Sequence, residues 1–273
     1  MNFGSLFAGI GGFDLGLERA GMKCSWQVEI DDYATRVLQK HWPQVKRFRD
    51  VRECGKNNLD PVDLICGGFP CQPFSFAGKR KGENDERNMW PETARILGEL
   101  RPRFALLENV PGLVTHKYFG RVLGDLAEIG YDCEWDCIPA STFGAPHRRD
   151  RLWVIAYSNG ERRRSEQISK QGSSHPAKSW NDVTEESLAN PYCTEFKKQW
   201  KQKPITSQLS TIECDSWWAS EPTICRMANG VPNRVDRLKC LGNAVVPQVV
   251  EWVGKGIKNY EQATETFRGR YSI

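Results

Sequence analysis

The 273-residue sequence contains no run approaching the roughly 20 consecutive apolar residues that a membrane-spanning helix needs. Its opening stretch, MNFGSLFAGIGG, has no basic region ahead of an apolar run and cleavage site, so a cytoplasmic protein is expected. Histidine is scarce, at four, and no cysteine pair has CxxC spacing; the closest pairs are Cys66/Cys71 and Cys133/Cys137. A structural zinc is therefore not expected, and no metal is assigned. The ten cysteines are spread through the chain, several inside apolar runs such as DLICGG. That pattern fits reduced, buried thiols better than a disulfide framework. A complete dinucleotide fingerprint is also missing: GxGxxG would need a glycine at position 14, where Asp14 stands.

The hydrophobic fraction of 39% is enough for a buried core. Up to about residue 156 the chain alternates strand-like and helix-like stretches, which predicts an α/β sheet domain. FGSLFA, CSWQVE, DLICGG, FALLENV, CEWDCIPA and RLWVIAY read as strands. FDLGLERAG, DDYATRVLQKHW, NMWPETARILGEL and FGRVLGDLAEIG carry apolar residues at helical spacing between them. From Ser158 to about Pro222 no period is evident, which predicts an irregular insert or small second domain. GNAVVPQVVEWVGKGI then recovers apolar periodicity and is expected to return to the first domain as a loop and helix. The expected organisation is one domain from residues 1–157 plus 223–273, with a small region at 158–222 between its halves.

The net charge is +4, and from Tyr157 to Lys203 nine Lys/Arg stand against six Asp/Glu. Arg162, Arg163 and Arg164 are consecutive, KKQWKQK runs from Lys197 to Lys203, and Trp180, Tyr192, Phe196 and Trp200 are interspersed. Basic residues among aromatics suit a polyanion with exposed groove edges; a solvated basic face reads equally well from composition alone.

In LFAGIGGFDLGLERAG, a strand runs into a glycine-rich turn and then a helix. Gly9, Gly11 and Gly12 allow a ligand to approach the backbone closely. Glu29, twenty positions after Gly9, ends the second strand, where a carboxylate can accept bonds from both ribose hydroxyls of an adenosine. Asp50 in FRDV ends a third strand and offers an acceptor to the exocyclic amine of adenine. Adenosine without phosphates fits all three, although a tight turn and solvent-facing acids would give the same residues.

DLICGGFPCQPFS ends an apolar strand in Gly-Gly and presents Cys71 between Pro70 and Gln72. Prolines at 70 and 73 stiffen that loop. Cys66 lies inside the strand and reads as inert packing. Cys71 lies past it, at the carboxyl edge where open α/β sheets place ligands. Arg149 and Arg151 in HRRDR alternate along the start of a predicted strand and are expected to leave on one face.

Taken together, FAGIGG, GGFPCQPFS, ENV (Glu108 to Val110), HRRDR (His147 to Arg151) and LGNAVVPQV (Leu241 to Val249) resemble, in order, motifs of the cytosine-5 methyltransferase family. The resemblance implies a Rossmann-like, class I S-adenosylmethionine-dependent fold with a small target-recognition region. It implies transfer of a methyl group from S-adenosylmethionine to C5 of a flipped cytosine in double-stranded DNA. Cys71 would be the nucleophile at C6, Glu108 the proton donor to N3, and Arg149 and Arg151 contacts to the cytosine, its phosphate and the nucleophile loop. Phe7, Gly9, Gly11, Gly12, Glu29, Ile30, Asp50, Val51, Asn243 and Ala244 would hold the cofactor. Pro70, Gln72, Ser75 and Asn109 would meet the substrate, and the polar loop Ser75 to Arg87 could close over DNA. Ile30 departs from the aromatic usual after the family's acid, and His147 from its usual glutamine. A monomer is expected; whether a cognate restriction endonuclease is a further partner is not given by the sequence. An RNA-directed cytosine-5 methyltransferase and a catalytically silent DNA-binding module are the alternatives; the four catalytic residues argue against the second.

Overall fold

The computed structural model describes residues 1–70, 88–158 and 232–271, the side chains of 263–271 excepted. Seven strands form one sheet in the order β3-β2-β1-β4-β5-β7-β6. They are β1 (Asn2–Leu6), β2 (Lys23–Val28), β3 (Lys46–Phe48), β4 (Leu64–Gly67), β5 (Phe104–Asn109), β6 (Tyr131–Pro139) and β7 (Asp150–Ser158). The first five are parallel to one another; β7 runs antiparallel between β5 and β6. Six α-helices are described: α1 (Gly12–Arg19), α2 (Asp32–His41), α3 (Trp90–Leu100), α4 (Lys117–Glu128), α5 (Arg234–Asn243) and α6 (Pro247–Tyr271).

The central strands are apolar on both faces because helices cover both, as a parallel sheet requires. Side chains alternate accordingly. Phe104 and Leu106 of β5, and Trp153 and Ile155 of β7, join one core with Phe13 and Leu17 of α1 and Val250, Val253 and Ile257 of α6. Ala105, Leu107, Leu152 and Val154 face the other, with Ile96 and Leu97 of α3 and Val122 and Leu126 of α4. Helix α6 packs with α1 on the face of the sheet that carries Phe3 of β1.

The chain builds outward from β1 to β3 on one side and then from β4 to β5 on the other. The carboxyl ends of β1 and β4 therefore flank the point where the winding reverses, the place where open α/β sheets bind ligands. Leu6 and Gly67 are paired there, and a β-carbon on Gly67 would lie 2.8 Å from the Leu6 carbonyl oxygen. The glycine turn follows Leu6; the segment leading to Cys71 follows Gly67.

Two local expectations change. Arg149 does not extend the β7 strand: its φ is +35° and the strand starts at Asp150, so simple alternation with Arg151 does not set its direction. Gly242 and Asn243, read as the start of a loop, end the helix α5; the loop is confined to the residues between Asn243 and Pro247.

Candidate active site

The glycine turn is shaped by left-handed backbone at Phe7 (φ +52°), Gly9 (φ +57°) and Gly11 (φ +87°). Gly11 caps α1, and a β-carbon there would also lie 2.3 Å from the Trp42 ring, so both conformation and space call for glycine. Glu29 leans over this turn. Its Oε2 accepts the Gly9 N–H at 2.7 Å and its Oε1 accepts the Asp31 N–H at 2.7 Å. Each oxygen keeps a lone pair for a ligand. Asp31 in turn caps α2 by accepting the N–H groups of Tyr33 and Ala34.

Beside Glu29, Ile30 is 62% exposed, an apolar face turned to solvent next to a hydrogen-bonding acid. Asp50 accepts the Arg52 N–H and its guanidinium, whose closest approach is 2.7 Å, while Val51 is buried in the core. Arg49 is paired with Asp32. Arg49 and Arg52, on either side of Asp50 and Val51, are thus both engaged by carboxylates. Among the described residues no group of His, Cys, Asp and Glu could hold a metal ion.

Asp14, which breaks the dinucleotide fingerprint, is fully buried between α1 and the sheet. It accepts from Ser5 Oγ (3.1 Å), Gln27 Nε2 (2.8 Å) and Cys24 Sγ (3.4 Å). Burial raises its pKa, against the opposing effect of those hydrogen bonds. Position 14 is therefore a structural tie between helix and strands, a role the one-dimensional motif conceals.

On the far side of the switch point, Glu108 near the end of β5 lies against β4. A β-carbon on Gly68 would be 2.7 Å from its Oε2. Arg151 Nε pairs with Glu108 Oε1 at 2.9 Å. Burial pushes the Glu108 carboxyl up to about 7; the Arg151 and Arg149 guanidiniums pull it down without offsetting burial. The carboxyl is thus poised to hold or give a proton near neutrality. Arg149 donates through Nη2 to the carbonyls of Gly242 (2.8 Å) and Ala244 (2.5 Å), joining this side to the loop after α5. Burial, then Arg151, lowers the Arg149 pKa, and Glu108 raises it.

Asn109 is buried and donates through Nδ2 to the Phe69 carbonyl at 3.1 Å. Phe69 packs on Trp90, ring centroids 5.1 Å apart. Its Oδ1 accepts the Val110 N–H, so Asn109 braces the end of β5 against the chain just before Pro70. Cys71, Gln72 and Ser75, the loop Ser75 to Arg87, and the basic segment with Arg162 to Arg164 lie outside the described residues. Pro70 ends the described segment. Cys66 is fully buried, its thiol pushed well up by burial, in keeping with an inert packing role.

The structure brings Phe7, Gly9, Gly11, Gly12 and Glu29 together, and a β-carbon on Gly12 would press 2.8 Å from the Val245 carbonyl oxygen. Ala244 precedes that residue and Asn243, exposed, ends α5. Sequence reasoning missed Lys239 on α5, which pairs with Asp31 at 2.6 Å. Val235 and Leu241 of that helix are exposed, so its apolar spacing gives only a weak signal.

A family model described as C-5 cytosine-specific DNA methylase matches residues 1–228. The chain belongs to this family. It is 37% identical over 161 residues to the type II methyltransferase M.BsuFI of Bacillus subtilis, a match covering 58% of this chain and 39% of that protein. Identity to M.NgoMIV of Neisseria gonorrhoeae is 38% over 165 residues, covering 58% and 53%. Against M.HhaI of Haemophilus parahaemolyticus it is 33% over 163 residues, covering 58% and 50%. The matched part thus spans about half or less of these relatives. A solved structure from E. coli, described as a candidate DNA modification methyltransferase encoded within a prophage, superposes with a TM-score of 0.61 at 22% identity. It covers 96% of this chain and 99% of that one. The Entamoeba histolytica methyltransferase EhMeth gives 0.60 at 17% identity, covering 95% and 98%. These likenesses agree with the class I methyltransferase fold expected from the sequence. Among the described residues, no helix is long and apolar enough to cross a membrane.

Proposed function

We propose that this chain methylates C5 of cytosine in double-stranded DNA, with S-adenosylmethionine as donor and Cys71 as covalent nucleophile. The observation that carries the reading is a buried Glu108 carboxyl, held near neutral pKa and paired with Arg151, beside the braced segment that leads to Cys71. Family membership supplies the reaction class.

C5 of cytosine is too weak a nucleophile to accept a methyl group unaided. The Cys71 thiolate adds to C6, forming the carbon–sulfur bond and shifting the ring electron pair toward N3, where the Glu108 carboxyl delivers its proton. Electron density then returns through the ring, making C5 enamine-like. Bound S-adenosylmethionine would supply an electrophilic methyl group to that carbon. Glu108 takes back the N3 proton, a base removes the C5 proton, and the bond to Cys71 breaks, restoring the thiolate and the 5,6 double bond. No residue is an evident candidate for the C5 base, and bound water fits the task. Arg151 would orient Glu108, with which it pairs, and Arg149 and Arg151 would supply cationic donors to a flipped cytosine. Glu29, Asp50 and exposed Ile30 would hold the ribose, amine and ring of the nucleoside; Gly9 and Gly11 admit it to the backbone. The target base must leave the helix to reach this site, at a cost on the order of a few kcal/mol.

Residues 158–222, with their basic and aromatic content, are assigned to target recognition, and the remainder to catalysis. The reading places the protein in the cytoplasm, acting as a monomer, with a restriction endonuclease as its functional counterpart. The test is transfer of a labelled methyl group to duplex DNA and to RNA in parallel, with bisulfite sequencing of the DNA product. Label on DNA cytosine at C5, lost in Cys71→Ala while cofactor binding persists, is the expected result. Turnover by Cys71→Ala at the wild-type rate would overturn the covalent step, and label confined to RNA would overturn the substrate.

A further inference from the structure

We propose that Lys239 is a positioning residue of the cofactor site, acting through Asp31 on Glu29; this rests on the reading of the Glu29 side as the S-adenosylmethionine pocket. The two side chains are 208 residues apart in sequence, yet Lys239 Nζ lies 2.6 Å from Asp31 Oδ2. They are 60% and 28% exposed, and a pair so open to water adds little to folding stability. Its consequence is geometric. The other oxygen of Asp31, Oδ1, accepts the Tyr33 and Ala34 N–H groups at the start of α2, and its backbone N–H donates to Glu29 Oε1. Glu29 Oε2 accepts from Gly9 of the glycine turn. Lys239 thus stands at the outer end of a chain of hydrogen bonds that reaches the turn through two carboxylates. Its ammonium also holds the Asp31 carboxyl below the usual carboxylate range.

Helix α5 carries this contact to the opposite side of the crevice. Three residues beyond Lys239, the Gly242 carbonyl accepts from Arg149, and Ala244 accepts from the same nitrogen. Arg149 is one of the two guanidiniums that act on Glu108. The ten-residue helix α5 therefore links Asp31, which holds Glu29, to Arg149, which acts on Glu108. Lys239 fastens its cofactor end.

The experiment measures binding of S-adenosylhomocysteine by calorimetry, together with KM for S-adenosylmethionine and kcat, in the full-length protein. Lys239→Met keeps the stem of the side chain and loses the charge. Asp31→Asn keeps the helix cap, since asparagine caps as well as aspartate, and loses the partner charge. Each is expected to weaken binding about three- to fivefold and to raise KM in proportion, with kcat at saturating cofactor held within about twofold. The double variant is expected to be no weaker than either single one, and Lys239→Arg to recover most of the affinity. Wild-type affinity in Lys239→Met, full additivity in the double variant, or an equal loss of kcat would each overturn the proposal. Failure of the wild-type protein itself to bind S-adenosylhomocysteine would remove the cofactor assignment and this inference together; binding by the wild type with no change in the variants removes only the inference.

Discussion

At the scale of single residues, Glu108 is where opposing forces are most evenly matched. Two guanidiniums favour its charged form, and burial favours the neutral one; burial wins and the carboxyl rises from 4.5 to about 7. Below about 4.5 the group is protonated in the folded and unfolded chains alike. Between 4.5 and about 7 only the folded chain holds the proton, so stability falls as pH rises through this window, and the loss is complete above it. The rise corresponds to on the order of 3 kcal/mol at most. Glu108→Gln has nearly the same shape and no titration, so it should match the wild type near pH 4.5 and exceed its stability near pH 8. Urea midpoints at the two pH values measure this, and parallel behaviour of the two proteins would contradict it. Methyl transfer should nevertheless fall in the variant, because an amide cannot deliver the proton that N3 requires.

At the scale of elements, the approach of α1 to α6 is set by a missing side chain. A β-carbon on Gly16 would lie 2.4 Å from Val250 Cβ and 2.7 Å from the Pro247 carbonyl oxygen. Alanine normally favours a helix over glycine by about 1 kcal/mol, whereas forcing atoms into a packed contact costs about 1–3 kcal/mol. Overpacking should win, so Gly16→Ala is expected to destabilise by about 1–2 kcal/mol. Gly120 in α4 has nothing within 4 Å of a β-carbon, and Gly120→Ala should stabilise by about 0.5–1 kcal/mol. Thermal unfolding of the pair checks the sign of each; two changes of the same sign would refute the packing argument. The same contrast explains what could be read from the chain without coordinates. Strand periods in FALLENV and RLWVIAY, and the helix of DDYATRVLQKHW, are local patterns that tertiary packing reinforced. The pair Glu29 and Gly9 was legible because a strand–turn–helix unit sets their spacing. Helix α5 was not, because all its residues but Cys240 remain at least partly exposed and its apolar signal is correspondingly weak. Arg149 eluded simple alternation because a positive φ redirects it, and Asn109 because its partner is a backbone carbonyl that no motif records.

At the scale of the whole molecule, the sheet is completed by a segment that arrives last. Val249, Val250, Val253 and Ile257 of α6 are buried against Phe3, Phe13, Leu17, Leu64 and Leu106, which come from β1, α1, β4 and β5. Full burial of such a side chain contributes about 1.5–3 kcal/mol, so these four supply roughly 6–12 kcal/mol before entropy is charged against them. Net stabilities of domains are about 5–15 kcal/mol. A chain ending before Arg234 would thus expose an apolar face whose covering is comparable to the entire margin of stability, and would lose Lys239, Gly242 and Ala244 from the crevice as well. It is expected to keep much of its far-ultraviolet dichroism while losing a cooperative thermal transition and binding an apolar dye. Adding residues 232–273 as a separate peptide should restore the transition, because the contacts are side-chain packing and the peptide needs no covalent link to make them. A truncated chain that melts cooperatively at the wild-type temperature, without dye binding, would show that the sheet does not depend on its last helix.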